Sequence, residues 1–433
     1  MPGGRPPGPA PAAGGRSWLA GLRTFRSLGT RNYRLYAAGQ VVSNTGTWMQ
    51  RVAQDWLVLQ LTHGSGTALG IATGLQFAPQ LLFSLWGGMI ADRYPKRTIL
   101  LATQALMGML ALVLGVLALT GLVRVWQVYL LAFALGMVAV VDNPTRQTFA
   151  AEMVGRDGVA NAIALNSATF NLARITGPAV AGLVISAVGT PIAFLLNAAS
   201  YGAVLAGLKL MRPSELHQVD RPPRARGQLQ EALRYVRARP SLWVTMGLVF
   251  FVATFGMNFQ VTTALMSRGV FHTGAGAFGL ASTMYAVGAL GGALLAARRA
   301  RPGMRLLIGS GLAFGALEVL TGLMPGFWSF LLTLVPTGLV LLMFTTTANS
   351  ATQLSSTASV RGRVMGLYML VFLGGAPLGS PLVGWVAEQF GARMSLIAGG
   401  VISAAAAAAA ALLLARARGM RLRASVRPAR LAA

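Results

Sequence analysis

Long uninterrupted blocks of apolar residues constrain this chain more than any other feature of its sequence. Residues 99–123, 126–141, 306–324 and 396–415 are examples. Each block approaches the roughly 20 residues that an α-helix needs to cross the hydrocarbon core of a bilayer. Only 11% of the 433 residues are charged, compared with about 25% in soluble proteins. The sequence therefore predicts an all-α membrane protein, and no alternation of short strands indicates a membrane barrel.

Twelve transmembrane helices in two six-helix bundles are predicted. Their approximate positions are 33–61, 66–91, 98–122, 125–145, 162–187, 190–211, 241–266, 275–298, 304–324, 326–350, 362–388 and 394–415. The bundles occupy residues 32–211 and 241–415, with a cytoplasmic linker at 212–240. Residues 1–31 are expected to be disordered, except for an amphipathic helix at 17–28 on the membrane surface. Residues 416–433 form a basic tail.

An internal repeat supports the division into two bundles. Gly46 and Gln50 recur as Gly256 and Gln260, and two further segments recur in the same order at nearly the same offset. Repeated six-helix halves with a substrate site between them are typical of secondary transporters.

The distribution of basic residues predicts the orientation of the chain. The net charge is +26, but most Lys and Arg residues lie near the termini or in the loops of one side. Only Arg124, Arg268 and Arg393 fall near the other side. Because cytoplasmic loops are enriched in Lys and Arg, both termini are predicted to be cytoplasmic, in a bacterial inner membrane. Anionic lipids are the expected partners of this charge, rather than nucleic acid.

The absence of certain residues and motifs from the sequence argues against several classes of function. The chain has no Cys, which excludes disulfides and thiolate metal sites. It has no phosphate-binding loop of the Gly-x-x-x-x-Gly-Lys-(Ser/Thr) type, and no nucleophile–base set or metal cluster is recognisable. We therefore expect neither an enzyme nor a bound cofactor or metal.

The loop between the second and third predicted helices carries the sharpest motif. Residues 87–97 read Gly-Gly-Met-Ile-Ala-Asp-Arg-Tyr-Pro-Lys-Arg, which resembles the Gly-x-x-x-Asp-Arg-x-x-(Arg/Lys)-(Arg/Lys) signature of the major facilitator superfamily. Pro95 stands where that family usually has Gly. The resemblance implies that this loop locks the outward-open state of the transporter, through Asp92 and Arg93. The predicted gate residues are Gly88, Asp92, Arg93, Lys96 and Arg97, with Arg146 as the candidate partner of Asp92.

A second motif lies in the fifth predicted helix. Gly177, Pro178 and Gly182 resemble a Gly-Pro-x-x-Gly-type motif of proton-coupled antiporters in the same superfamily, although the spacing after the proline is one residue longer. Glycine and proline would bend the helix and allow close packing against its neighbours. A generic helix kink is the alternative interpretation.

Two further phrases resemble the siderophore- and macrolide-exporter branch of this superfamily. One is Asp-Asn-Pro-Thr-Arg at 142–146, and the other is Gly-Thr-Trp-Met-Gln-Arg at 46–51. The resemblance implies the major facilitator fold and an exporter.

Charged residues inside the predicted helices are candidates for proton coupling. A charge at the bilayer centre costs at least about 2.5–3.5 kcal/mol, so such residues are usually kept for pairing or function. Arg51 and Asp55 share a helix face, and Asp55 could pair with either Arg51 or Arg174. We expect Asp55 to bind and release a proton, although a permanent ion pair is the alternative. Glu318 could also couple protons; the alternatives are a role in packing, or partial exposure to lipid when protonated.

Polar and aromatic residues of the predicted helices are candidates to line a substrate cavity. They are Gln40, Asn44, Gln50, Gln76, Asn166, Phe251, Phe255, Asn258, Thr337, Tyr368 and Phe372. The sequence thus predicts a monomeric, proton-coupled exporter of amphipathic small molecules such as a drug, macrolide or siderophore. A nutrient importer or uniporter of the same fold, and a membrane receptor or scaffold without transport, are the alternatives.

Overall fold

The computed structural model describes residues 25–217, 228–298, 303–357 and 360–417, which are helical with no strand among them. The first six long helices are α1 (Arg31–Leu61), α2 (Gly66–Arg93), α3 (Lys96–Leu119), α4 (Val125–Gly155), α5 (Gly158–Val188) and α6 (Thr190–Leu210). The next six are α7 (Pro240–Val270), α8 (Ala275–Ala297), α9 (Met304–Leu323), α10 (Phe327–Leu354), α11 (Arg361–Phe390) and α12 (Ala392–Ala417). The predicted all-α membrane class is confirmed.

Ten of these helices are long and apolar enough to cross a membrane by themselves. Helix α2 is an eleventh candidate if its two parts, which are bent by 64°, count as one span. Helix α1 does not satisfy the same criterion because polar side chains such as Gln40, Asn44, Gln50 and Asp55 lie along it. The predicted number of twelve spans therefore stays a prediction.

A single backbone irregularity separates α4 from α5. Residues 125–188 are helical except at Gly155, which has φ of 67° and ψ of 177°. Glycine adopts this left-handed φ without a steric penalty, so the stretch is divided into two helices at this residue.

The predicted segments outside the bundles are described only in part. A 3₁₀ turn, Arg26–Gly29, precedes α1. The rest of the predicted helix at 17–28 lies outside the described residues, as does the tail beyond residue 417. In the linker, residues Gln228–Arg237 form a short helix.

The two bundles are α1–α6 and α7–α12, and they meet mainly through α2 against α11 and α5 against α8. We call the face that carries the linker the linker face. The ends of the helices near residues 62–65, 189, 271–274 and 391 form the opposite face. This arrangement places one hydrophobic core inside each bundle, while a further core combines buried residues of both bundles. Space remains elsewhere between the bundles.

Candidate functional site

A cavity of about 340 Å³ lies between the two bundles. Helices α1, α2 and α5 of the first bundle and α7, α8 and α11 of the second contribute its walls. The lining residues include Trp48, Arg51, Phe77, Arg174, Gln260, Tyr285 and Phe372. Its volume lies within the usual range of small-molecule sites, which is about 300–1,000 Å³.

A second cavity of about 420 Å³ adjoins the first on the side of the linker face. The two share Trp48, Arg51 and Phe77 in their walls. The second cavity is lined mainly by the first bundle, and Asn143 and Gln147 of α4 are exposed within it. The space between the bundles is therefore continuous and accessible from the linker face.

Four of the predicted cavity residues line these two cavities. Asn258 and Phe372 line the central cavity, whereas Asn44 and Gln76 line the second one. The other candidates are not among the lining residues of either cavity: Gln40, Gln50, Asn166, Phe251, Phe255, Thr337 and Tyr368.

Several of these other candidates satisfy hydrogen bonds within one bundle. The side chain of Asn197 donates to Gln50. The hydroxyl of Thr337 lies 3.1 Å from that of Thr321, and Tyr368 donates to the carbonyl of Thr345 over 3.3 Å. Their polar groups therefore stabilise helix packing in this conformation, because buried polar groups require partners.

Sequence reasoning missed three aromatic residues of the central cavity, Trp48, Phe77 and Tyr285. Only Trp48 has a signal in the sequence, since it lies one helical turn before Arg51; Phe77 and Tyr285 approach the arginines only in the folded chain. The Arg51 guanidinium lies 4.6 Å from the Trp48 ring centroid and 5.7 Å from that of Phe77. Arg174 lies 5.9 Å from both Trp48 and Tyr285.

A buried ion pair between Asp142 and Arg146 connects three helices of the first bundle. The two side chains are 2.5 Å apart, and that of Asp142 is fully buried. The other carboxylate oxygen of Asp142 accepts hydrogen bonds from Thr103 and Gln104 of α3. The network also includes α1, because Arg146 donates hydrogen bonds to that helix.

Arg146 donates to Gln40 over 2.7 Å and to Asn44 over 3.0 Å, both of which belong to α1. Its guanidinium is thus held by neutral oxygens on one side and by Asp142 on the other. In the described conformation Arg146 pairs with Asp142, one helical turn away on α4, so its pairing with Asp92 in the outward-open state stays a prediction.

The loop with the gate motif is anchored to the first bundle at the linker face. Lys96 forms an ion pair of 2.5 Å with Glu152 at the end of α4. The guanidinium of Arg97 donates to the carbonyl of Leu208 over 2.8 Å, while Arg93 lies 5.9 Å from the ring of Tyr94. These contacts tie the start of α3 to α4 and α6.

The close helix approach predicted for Gly88 is made by its neighbour. A Cβ atom at Gly87 would collide with the backbone of Val140 in α4. The side chain at 87 therefore has to be absent for α2 and α4 to pack, because backbone atoms cannot yield to it. The sequence pattern located this approach within one residue.

Asp55 forms its hydrogen bond with the second bundle rather than with an arginine. The side-chain amide of Gln260 in α7 donates to it over 2.6 Å. Within the residues that the structure describes, Asp55 has no ion pair with Arg51 or Arg174, so the expectation of such a pair is not met. The guanidinium groups of Arg51 and Arg174 lie near the Trp48 ring instead. The side chain of Asp55 is buried, with 1% exposure, and contacts Gln260.

Glu318 lies inside the second bundle and is only 2% exposed. A Cβ atom at Gly256 or at Gly399 would lie within about 3 Å of its carboxyl oxygens. Of the alternatives for Glu318, partial exposure to lipid is excluded in this conformation, because α7 and α12 approach through these two glycines and cover the side chain. The packing role and the coupling role stay predictions.

Glycines close the opposite face by bringing the two bundles into backbone contact. A Cβ atom at Gly279 of α8 would lie 2.5 Å from the carbonyl oxygen of Pro178 and 2.8 Å from Cα of Gly182, both in α5. Gly177 packs in the same way against Trp48 and the carbonyl of Thr45 in α1. In α5, Gly177 thus packs against α1, and Pro178 and Gly182 pack against the second bundle.

A second contact on the opposite face joins α2 to α11. A Cβ atom at Gly66 would lie 2.5 Å from the carbonyl oxygen of Gly384. Nearby, the Glu388 carboxylate of α11 accepts hydrogen bonds of 2.8 Å from the Ser65 hydroxyl and from the Thr67 backbone N–H. A carboxylate at a helix N-terminus is favoured by the unpaired N–H groups and the helix dipole.

Replacing Glu388 by Gln should raise the ratio of open to closed conformations at the opposite face about two- to fivefold. The reason is that the neutral amide loses the charge interaction with the N-terminus of α2. The distance between spin labels at Val188 and Gly274 would measure this, since the chain has no native Cys. The longer-distance population should increase. The exposed neighbour Gln389, replaced by Ala, serves as the control, and an identical distance distribution in both variants would contradict the expectation.

The fold, the cavity between two bundles and the closure of one face together define a transporter of the major facilitator type. The chain belongs to the family described as transmembrane secretion effectors, whose model matches residues 23–428. It is thus a multi-pass membrane protein of a transporter family, and the family that its sequence resembles is confirmed.

Relatives of known function are siderophore transporters and multidrug pumps. The chain is 26% identical to the multidrug efflux pump Tap of Mycolicibacterium fortuitum, over 84% of this chain and 90% of that protein. It is 24% identical to the enterobactin exporter EntS of Citrobacter koseri, over 90% and 91% of the two chains. It is 26% identical to the staphyloferrin A transporter of Staphylococcus aureus, over 57% of this chain but only 62% of that protein.

The fold is also that of solved transporters. A bacterial homologue of the human lysosomal transporter Spinster, in an inward-facing and unoccupied conformation, superposes with a TM-score of 0.72. The two sequences are 16% identical, and the match covers 90% of this chain and 98% of that one. This likeness supports the fold alone.

Proposed function

We propose that the protein is a secondary exporter of amphipathic small molecules that works by alternating access. The observation that carries this proposal is the continuous space between the bundles, which is open to the linker face and closed by backbone contacts at the opposite face. The positive-inside rule makes the linker face cytoplasmic. The described conformation is then inward-facing and ready to accept cargo from the cytoplasm.

Export rather than import is favoured by the relatives. Two of them, the pump Tap and the exporter EntS, are efflux proteins by name and align over most of both chains. Drugs, macrolides and siderophores are the proposed cargo classes. The electrochemical gradient of protons could supply the work, since moving one charge through 100 mV yields about 2.3 kcal/mol.

The test of export is gradient-driven movement of cargo in everted membrane vesicles. A panel of dyes, macrolides and siderophores would be presented on the cytoplasmic side, with and without an imposed proton gradient. Accumulation inside the vesicles that requires the gradient supports the exporter. Movement in the reverse direction would make the protein an importer, and no flux from correctly folded protein would favour the receptor or scaffold alternative.

Asp55 is the proposed proton-coupling residue. It is a buried carboxyl beside the cavity wall, its only described hydrogen bond is the one from Gln260, and its other oxygen has no partner among the described residues. A group that joins the two bundles through a single hydrogen bond can couple a change of protonation to their separation. Glu318, which is buried within the second bundle, is the second candidate.

Replacing Asp55 by Asn should abolish the dependence of efflux on the proton gradient while counterflow of cargo without a gradient continues. The amide has nearly the shape of the carboxyl but cannot lose a proton in the cycle. Efflux rates at several pH values would be compared between the wild-type protein and this variant.

The matched control for this test is Gln260→Leu. It removes the same hydrogen bond but leaves the carboxyl of Asp55 in place, so its efflux should still respond to the gradient. Normal rates with an unchanged pH response in Asp55→Asn would exclude the proton role.

A further inference from the structure

We infer that the central cavity binds an amphipathic aromatic anion, with the acidic group of the ligand held by Arg51 and Arg174. This inference names the cargo class of the proposed exporter and therefore rests on that proposal. It follows from the charges, the unsatisfied polar groups and the aromatic surface of the cavity wall.

The two arginines make the lining of the central cavity positively charged. Both side chains line it, and no Asp or Glu is among its lining residues. Neither guanidinium has an ion pair or a hydrogen bond to any described residue, and the Nε atom of Arg51 is buried without a partner. A buried donor left without a partner is costly, and more so when it is charged.

The nearest carboxyls offset this charge only in part. Asp55 lies one helical turn from Arg51 and its carboxylate opposes the charge of that arginine, but it is not a lining residue and bonds to the neutral amide of Gln260. In the adjoining second cavity, Asp142 is already paired with Arg146 over 2.5 Å. The wall of the central cavity therefore keeps at least the charge of Arg174 in excess.

The surroundings of the arginines favour a flat aromatic ligand. Both guanidinium groups lie within 6 Å of the Trp48 ring centroid, so they converge on one region of the wall. Phe77, Tyr285 and Phe372 add further ring surface to the same cavity. Guanidinium groups recognise carboxylates and related oxyanions through two parallel hydrogen bonds, and the rings offer apolar contact to the remainder of the ligand.

A pair of dyes with the same xanthene skeleton and opposite charge can test the inference. Fluorescein is anionic at pH 8, whereas rhodamine 123 is cationic. Equilibrium binding to the purified protein in a neutral detergent would be measured by fluorescence anisotropy. Fluorescein should bind at least about tenfold more tightly than rhodamine 123.

Removal of either positive charge should weaken the binding of fluorescein. We expect Arg51→Gln and Arg174→Gln each to lose about tenfold in affinity, which is about 1.4 kcal/mol, with little change for rhodamine 123. Arg51→Lys keeps the charge but not the two-pronged geometry and should lose less. The exposed Arg124, on the opposite face, supplies the control variant Arg124→Gln.

Three outcomes overturn the inference. One is equal or tighter binding of rhodamine 123 to the wild-type protein. Another is unchanged affinity for fluorescein in both glutamine variants, provided that they elute and unfold thermally as the wild type does. A loss in Arg124→Gln equal to that in the other variants would overturn it too, because the effect would then come from general surface charge.

Transport of the same dyes into proteoliposomes separates this inference from the proposed function. Charge-dependent binding of fluorescein without gradient-driven movement of either dye would refute the exporter and leave the anion site. Gradient-driven movement of rhodamine 123 alone, with no binding of fluorescein, would leave the exporter and refute the anion site.

Discussion

Replacing Asp142 by Asn is expected to lower the free energy of unfolding by about 3–5 kcal/mol, the usual cost of removing one partner of a buried ion pair. The carboxylate is fully buried, and it accepts hydrogen bonds from Thr103, Gln104 and Arg146. The substitution would leave the Arg146 guanidinium without its counter-charge, and the new amide would present donors to groups that are themselves donors. Denaturation of the purified protein by SDS in mixed micelles would measure the change.

Two further variants make this expectation specific. The exposed pair between Arg212 and Glu215, 3.0 Å apart, is the matched control, and Glu215→Gln should cost less than about 1 kcal/mol. The double variant Asp142→Asn with Arg146→Gln should recover part of the loss, because it no longer buries an unpaired charge. Equal effects at the buried and exposed pairs would show that the network does not stabilise the bundle.

Replacing Gly279 by Ala is expected to shift the protein away from the described conformation by about 5- to 150-fold, which corresponds to an overpacking cost of about 1–3 kcal/mol. The added methyl group would lie 2.5 Å from the carbonyl oxygen of Pro178 and 2.8 Å from Cα of Gly182. Because these neighbours are backbone atoms, relief requires the two bundles to separate at the opposite face. The spin-label pair at Val188 and Gly274 would report a longer distance.

The control for this variant lies on the same helix. At Gly291, the nearest atom to an added Cβ is a side-chain carbon of Leu339 at 3.7 Å, which is ordinary contact. Gly291→Ala should therefore leave the distance distribution and the efflux rate as they are in the wild type. Transport by Gly279→Ala should fall in parallel with the shift, since alternating access requires both conformations. A normal rate together with an unchanged distance would refute the closure role of this contact.

The substitutions at Asp142 and Gly279 test different parts of the protein. The network of Asp142 and Arg146 holds α1, α3 and α4 together as a rigid first bundle, and the contact at Gly279 regulates how that bundle meets the second one. Rigid bundles that rock about a central site are the structural requirement of alternating access.

Length, periodicity and charge in the sequence were enough to predict the fold. Apolar stretches of bilayer length can only be satisfied as helices, because backbone groups in lipid must bond internally. The motif at 87–97 predicted the family, and the pattern Gly177, Pro178 and Gly182 predicted a helix that packs closely. These features are local or periodic, so they can be read from the order of residues alone.

The partners of the buried polar groups could not be predicted in the same way. Asp55 lies one helical turn from Arg51, yet it bonds to Gln260 of the other bundle. Arg146 pairs within its own helix. The partner of each buried polar group depends on the rotation and depth of its helix. These in turn are set by side-chain packing between segments that are distant in the sequence.

The sequence by itself therefore determined that this chain is a helical membrane protein, since hydrophobic length and composition follow directly from residue types. Its motifs, through their resemblance to a known superfamily, predicted a transporter. Only the tertiary structure decided which residues form the cavity. It brought Arg51 and Arg174, 123 positions apart in the sequence, onto one aromatic ring. The physical reason is that a cavity is what remains after helices pack, and its lining depends on every helix contact around it.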